Sequence, residues 1–210
     1  MSLHILDPVR VVAITDRTMM GATPQEFGEA IERVVQGCPP GSVLIQIREK
    51  DLDGAALVEL IRIARRYSRV IVNDRVDVAL AAEAIAVHLP EDGLTVAEAR
   101  ALFPGVIGVS RHAPDTDSGA DLIHLGPIWA TPSKPGMTPL GLDALRAPHG
   151  TAKLVAIGGI DSPERAREAA MAGADAVAVI RAAWTGPDPA RLIAALVAAV
   201  SSATCTPPTT

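Results

Sequence analysis

The sequence predicts a single-domain (β/α)8 TIM barrel, and three observations carry that expectation. Eight short apolar runs recur along the chain, most of them followed by a segment with helix start signals, which is the alternation of a parallel sheet covered by helices. Hydrophobic residues make up 49% of the chain but aromatic residues only 2%, so the core has to be built from Ala, Val, Leu and Ile. That is the composition of strands buried on both faces. Finally, no composition break divides the 210 residues, a length that α/β barrels occupy as one unit. A doubly wound open sheet is the competing architecture.

Taken in order, residues 1–10 read as a loose arm before the barrel domain at 11–200. Val11 to Thr15 is the first strand, closed by Asp16. Thr23-Pro24-Gln25-Glu26 supplies an N-cap with proline at the first helical position, and Gly37 to Gly41 stops that helix. Val43 to Ile47 is the second strand and ends in Arg48-Glu49-Lys50. A helix from Asp53 to Tyr67 leads to a third strand, Val70 to Val72, ending in Asn73-Asp74. Arg75 to Glu83 is a short helix, Ile85 to His88 the fourth strand, Leu94 to Leu102 a helix, and Val106 to Val109 the fifth strand. Pro114 to Gly119 is too short and polar for a good helix, so the fifth helix is expected to be shortened. Leu122 to Leu125 is the sixth strand and Leu142 to Leu145 a brief helix. Leu154 to Ile157 is the seventh strand, Ser162-Pro163-Glu164 caps a helix to Ala172, and Ala176 to Ile180 is the eighth strand. Pro189 to Val200 is the last helix, and 201–210 reads as a disordered polar tail.

Several partner classes are excluded. A net charge of −5 with no basic stripe argues against nucleic acid. Cys38 and Cys205 have neither metal-ligand spacing nor a disulfide framework. No apolar run approaches membrane length, so a cytoplasmic protein without a membrane partner is expected.

In a barrel of this kind the chemistry sits at the C-terminal ends of the strands. Residues there form a non-random set: Asp16, Arg48, Lys50, Asn73, Asp74, Glu91, Asp92, Ser110, His112, Thr131, Ser133, Lys134, Gly158, Gly159 and Arg181. Pro127, Pro132 and Pro135 stiffen the loop that carries Thr131, Ser133 and Lys134, and hydroxyls beside an ammonium suit an anionic oxygen ligand. Cations, hydroxyls and carboxylates around one rim fit a polyphosphate held by Arg48, Lys50 and Lys134, with Mg²⁺ bridging it to carboxylates. The Gly158-Gly159 pair after strand seven matches the usual barrel phosphate site. Two phosphate-type sites suggest two phosphorylated small-molecule substrates that are joined.

Each of these residues also has a plainer reading. Asp74 could cap the helix that begins at Arg75, Arg48 and Lys50 could be a solvated pair, and His88 and His124 could simply pack in the core.

The short pieces ITD (14–16), QIREK (46–50), VNDRVDVAL (72–80), VHLP (87–90), GVSRH (108–112), LGPIWATPSKPG (125–136), AIGGI (156–160) and AGADAVAV (172–179) occur in order. Together they resemble the thiamine phosphate synthase and thiazole tautomerase superfamily from Ile14 to about Trp184. By that resemblance, Arg48, Lys50, Asn73 and Lys134 would grip a pyrimidine diphosphate with Mg²⁺ on Asp74. Thr131 and Ser133 would approach a phosphate, Gly159 would bind the thiazole phosphate, and Ser110 would contact the pyrimidine. Diphosphate would leave, and the thiazole nitrogen would capture the resulting cation. Homo-oligomers occur in such families.

The chain departs from the synthase pattern where a second metal aspartate is expected, because Gly93 holds that position. Asp92 or Glu91 would have to replace it. Pro90 and His112 resemble the tautomerase branch, in which the histidine is an acid–base, whereas Lys50 and Asp74 fit the synthase. Arg181 replaces the usual serine and would either strengthen a phosphate grip or block it. A non-catalytic thiamine-phosphate-binding paralogue is the third reading.

Overall fold

A computed structural model describes residues 5–21, 23–114 and 119–204 of the chain. Eight parallel strands follow one another round a closed barrel: β1 (Val11–Ile14), β2 (Val43–Ile47), β3 (Arg69–Asn73), β4 (Ala86–Leu89), β5 (Val106–Arg111), β6 (Leu122–Leu125), β7 (Lys153–Ile157) and β8 (Ala176–Val179). β8 pairs back onto β1, with Val11 beside Val177, so the sheet has no edge and the open doubly wound alternative is excluded.

The strands are almost wholly buried because both of their faces are covered. Outward-facing Val11, Ile45, Val72 and Val87 pack beneath the helices, while inward-facing Val12, Leu44, Ile71, Val106, Leu122 and Val155 fill the barrel. Each helix has a local cause. α2 (Pro24–Val35) starts at a reciprocal Thr23–Glu26 capping box, and α5 (Val96–Leu102) at another between Thr95 and Glu98. α3 (Gly54–Ala64) and α6 (Pro163–Met171) are capped by Asp53 and Ser162. α4 (Val76–Ala81) has no side-chain cap, and a 3-10 helix at Leu142–Arg146 stands for the sixth helix.

Two short helices, α1 (Arg17–Met20) and α7 (Arg181–Trp184), escaped the sequence reading because four residues are too few for a periodic pattern. α7 is tied to the barrel by Trp184 Nε1–H, which donates to Ile14 O at 2.7 Å. Between β5 and β6 no helix occurs among the described residues; the expected remnant falls mainly on 115–118, outside them.

Both termini correct the expectation where they are described. Residues 5–10 are not a loose arm: Leu6 and Val9 are each 1% exposed and belong to the barrel-interior cluster. Lys153 Nζ donates to Leu6 O at 2.8 Å and Arg69 Nη1 to Ile5 O at 2.6 Å, so the segment plugs the N-terminal ends of the strands. At the other end, Ser201 to Thr204 continue the last helix, α8 (Pro189–Thr204), and the rest of the tail lies outside the described residues. No helix among the described residues is long and apolar enough to cross a membrane.

Candidate active site

With one end of the barrel plugged, the other opens as a cavity of about 1110 Å³. Every residue singled out at the strand ends lines it. β2 and its loop supply Arg48 and Lys50, β3 supplies Asn73 and Asp74, and the β4 loop supplies Glu91 and Asp92. Ser110 and His112 come from β5, Thr131, Ser133 and Lys134 from the β6 loop, Gly158 and Gly159 from the β7 loop, and Arg181 from α7.

Several arginines are paired: Arg17 with Glu49 and Asp51, Arg75 with Asp77, Arg100 with Asp121, and Arg165 with Asp161. Around the cavity, Arg48, Lys50 and Arg181 make no ion pair among the described residues. Burial, together with the nearby Arg48 charge, lowers the Lys134 ammonium from its ordinary range, partly offset by Glu91. Like charges facing one cavity repel unless counter-charges or an anionic guest offset them, and the carboxylates of Asp74, Glu91 and Asp92 line the same cavity.

Glu49 keeps that arrangement in place. It is 7% exposed, and its two carboxylate oxygens accept from the Arg17 backbone N–H at 3.1 and 3.2 Å. Thr15 Oγ1 accepts from Arg48 N at 3.0 Å, so the segment between Arg48 and Lys50 is anchored on both sides. Burial raises the Glu49 carboxyl above its usual range.

Below the rim the cavity has a polar floor that sequence reasoning largely missed. Gln46 Nε2 donates to Asn73 Oδ1 at 3.3 Å, and His88 Nε2 is hydrogen-bonded to Ser110 Oγ at 2.8 Å. The His88 and His124 rings are 4.2 Å apart, centroid to centroid. Burial holds both imidazoles neutral, pushing His124 down to about 3 and His88 well below its ordinary value. Gln46 Oε1, His88 Nδ1 and His124 Nε2 are buried without a hydrogen-bond partner among the described residues. Buried polar atoms are normally satisfied, so orphaned ones lining a cavity mark places where a ligand or water belongs. The available signal was parity: Gln46, His88 and His124 stand at inward positions of otherwise apolar strands.

Gly158 and Gly159 have positive φ, 97° and 72°, and a Cβ there would lie 2.6 Å from Pro127 and from Trp129 respectively. Sterics therefore require glycine at both positions. Their amides donate to no described protein group, which leaves two N–H donors at the cavity wall. The short α7 beside them completes the arrangement in which barrel phosphate sites are built from loops seven and eight.

Asp74 adopts φ 66°, a left-handed conformation that Asp tolerates better than most residues. Neither its carboxylate nor that of Asp92 accepts a hydrogen bond from a described residue. Glu91 is engaged: its carboxylate accepts from His112 Nδ1–H and from His112 N at 3.4 Å, which lowers its pKa. Among the described residues no three His, Cys, Asp or Glu side chains cluster as a metal cage. Magnesium does not need one, since it commonly takes one or two carboxylates plus substrate phosphate oxygens and water. Asp74 and Asp92 are two carboxylates of that kind lining one cavity.

Comparison with known proteins bears on what this cavity serves. A protein-family profile described as thiamine monophosphate synthase matches residues 11–183. A Geobacter sulfurreducens protein provisionally named thiamine-phosphate synthase is 42% identical over 204 residues, covering 88% of this chain and 91% of that one. The thiamine-phosphate synthase of Chloroflexus aurantiacus is 37% identical, covering 88% of this chain and 89% of its own. Among solved structures, thiamine phosphate pyrophosphorylase from Pyrococcus furiosus superposes with a TM-score of 0.75 at 28% identity, over 94% of this chain and 98% of that one.

Proposed function

The chain belongs to the thiamine monophosphate synthase family, and from that premise we propose how its cavity joins a hydroxymethylpyrimidine diphosphate to a thiazole phosphate. The product is thiamine phosphate and the leaving group is diphosphate. The observation that carries the reading is the group of cations without an ion pair among the described residues, Arg48, Lys50 and Arg181, facing one cavity with Lys134.

The residues divide the work by chemistry. Arg48, Lys50, Asn73 and Lys134 bind the diphosphate, with Thr131 and Ser133 as hydroxyl donors beside it. The Gly158 and Gly159 amides, reinforced by Arg181, hold the thiazole phosphate. Ser110, seated against His88, faces the pyrimidine. Asp74 and Asp92 would hold Mg²⁺, and the chemistry it supplies when bound is neutralisation of charge on the diphosphate oxygens.

In the reaction the bond from the pyrimidine methylene to the diphosphate oxygen breaks, and its electron pair leaves with the diphosphate. The methylene cation is then captured by the lone pair of the thiazole nitrogen, which forms the new C–N bond. No proton leaves carbon, so no general base is required there. Arg48 and Lys134 act where negative charge grows, and preorganised charges of this kind usually supply the largest share of catalysis. Neutral His88 and His124 below add no positive charge to oppose the cation.

The test is diphosphate release from the pyrimidine diphosphate by the purified chain with Mg²⁺. Release is expected when the thiazole phosphate is also present, with thiamine phosphate formed in equal amount. No release with both substrates and metal present would overturn the reading.

A further inference from the structure

The turn after β4 offers two acidic residues beside Gly93, and the structure treats them differently. Asp92 accepts from no described residue, while Glu91, equally exposed, reaches across to the β5 loop and takes His112 as its partner. An ionised carboxylate can only accept hydrogen bonds, so His112 Nδ1 carries the proton and Nε2 the lone pair. That lone pair accepts from Lys134 Nζ, the next link in the contact. Three loops, following β4, β5 and β6, are thus joined end to end by Glu91, His112 and Lys134.

We propose that Glu91, acting through His112, is a positioning residue for the Lys134 ammonium. The inference rests on the reading that Lys134 neutralises the departing diphosphate. Lys134 stands on an exposed loop whose nearby backbone bonds are Lys134 N to Thr131 O at 3.1 Å and Met137 N to Lys134 O at 3.3 Å. These bonds set the turn but leave the long side chain free to rotate. An ammonium has three donors. Spending one on His112 fixes its position and leaves two for the leaving oxygens. The carboxylate is what makes the contact possible. Without an acceptor at Nδ1, the neutral ring is free to place its proton on Nε2, where it would face the ammonium donor to donor, and the lysine would lose its seat. Fixing the tautomer and orientation of an imidazole is a common task for a carboxylate.

The test compares Glu91→Ala, Glu91→Gln, Lys134→Met and the double variant Glu91→Ala/Lys134→Met in the full chain. Steady-state diphosphate release is measured for each, and circular dichroism checks the fold. Glu91→Ala is expected to lower kcat roughly tenfold or more with little change in KM, since misplacing a group that acts in the transition state costs rate. Glu91→Gln is expected to recover most of it, because its amide oxygen still accepts from Nδ1–H. In the Lys134→Met background Glu91→Ala is expected to cost nothing further, a non-additivity that a merely structural role would not produce. Wild-type kcat in Glu91→Ala, or an equal loss in both backgrounds, would overturn the proposal. If the wild-type chain releases no diphosphate, the proposed function fails instead. The positioning contact is then decided by ¹⁵N resonances of His112: an Nδ1–H tautomer in the wild type that is lost in Glu91→Ala supports it, and an Nε2–H tautomer in the wild type overturns it.

Discussion

Replacing Gly108 by alanine tests the polar floor most directly. Gly108 stands on β5 between His88 and Leu122 in register, and a Cβ there would lie 2.8 Å from His88 Nδ1. It would also sit 3.1 Å from Leu122 Cδ2 and 3.4 Å from Ile71 Cδ1. The imidazole cannot simply retreat, because Ser110 Oγ holds its other nitrogen at 2.8 Å and the His124 ring lies 4.2 Å away. Overpacking a filled core costs about 1–3 kcal/mol, and a ring pinned on two sides belongs at the upper end, about 2–3 kcal/mol. For a chain of this length each kcal/mol moves the melting temperature by about 2–4 °C, so a fall of roughly 4–12 °C is expected. Thermal unfolding followed by circular dichroism measures it. The decisive control repeats Gly108→Ala in a His88→Ala background, where the new methyl has room and most of the penalty should vanish. An unchanged melting temperature in the single variant, or the same loss in both backgrounds, would refute the steric account.

Three further outcomes are expected. Asp74→Asn should keep the fold, since asparagine also tolerates left-handed φ. It should raise the magnesium concentration needed for half-maximal diphosphate release by roughly tenfold or more, as loss of a metal-site partner commonly does; an unchanged magnesium dependence would remove Asp74 from the metal. Trp184→Phe deletes the N–H that donates to Ile14 O at 2.7 Å. It should cost about 1–2 kcal/mol in urea unfolding, and a neutral result would show that α7 is held by packing alone. Burial at the plugged end lowers Lys153 from 10.5 to about 8, so folding disfavours its charged form. Between about pH 8 and 10.5 the unfolded chain binds more protons, and the Lys153 contribution to stability therefore rises with pH there. Lys153→Met should lose that rise, so the stability of the variant relative to wild type should fall across this window in urea titrations; a constant difference would refute the assignment.

Most of the architecture was legible in the sequence because its causes are local. Apolar runs such as Val43 to Ile47, and caps such as Thr23-Pro24-Gln25-Glu26, specify their elements within a few residues. Alternation then leaves few topologies. Reading the residue after each strand was enough to name the cavity wall, since a parallel barrel sends every strand's C-terminal end to one face. Short elements were not legible: four residues of α1 or α7 carry no period, and the burial of Leu6 and Val9 depends on a barrel interior that exists only after closure.

The sequence by itself determined that cations, hydroxyls and carboxylates would gather at one end of a closed barrel. Only the tertiary structure decided how they are shared. Glu91 and Asp92 are neighbours of like charge and exposure, yet one is bound to His112, twenty-one residues away, and the other is left open. Arg48 makes no ion pair among the described residues although Glu49 is next to it, because Glu49 turns to the Arg17 backbone instead. Hydrogen bonds depend on distances across loops from different strands, and no local periodicity encodes those distances.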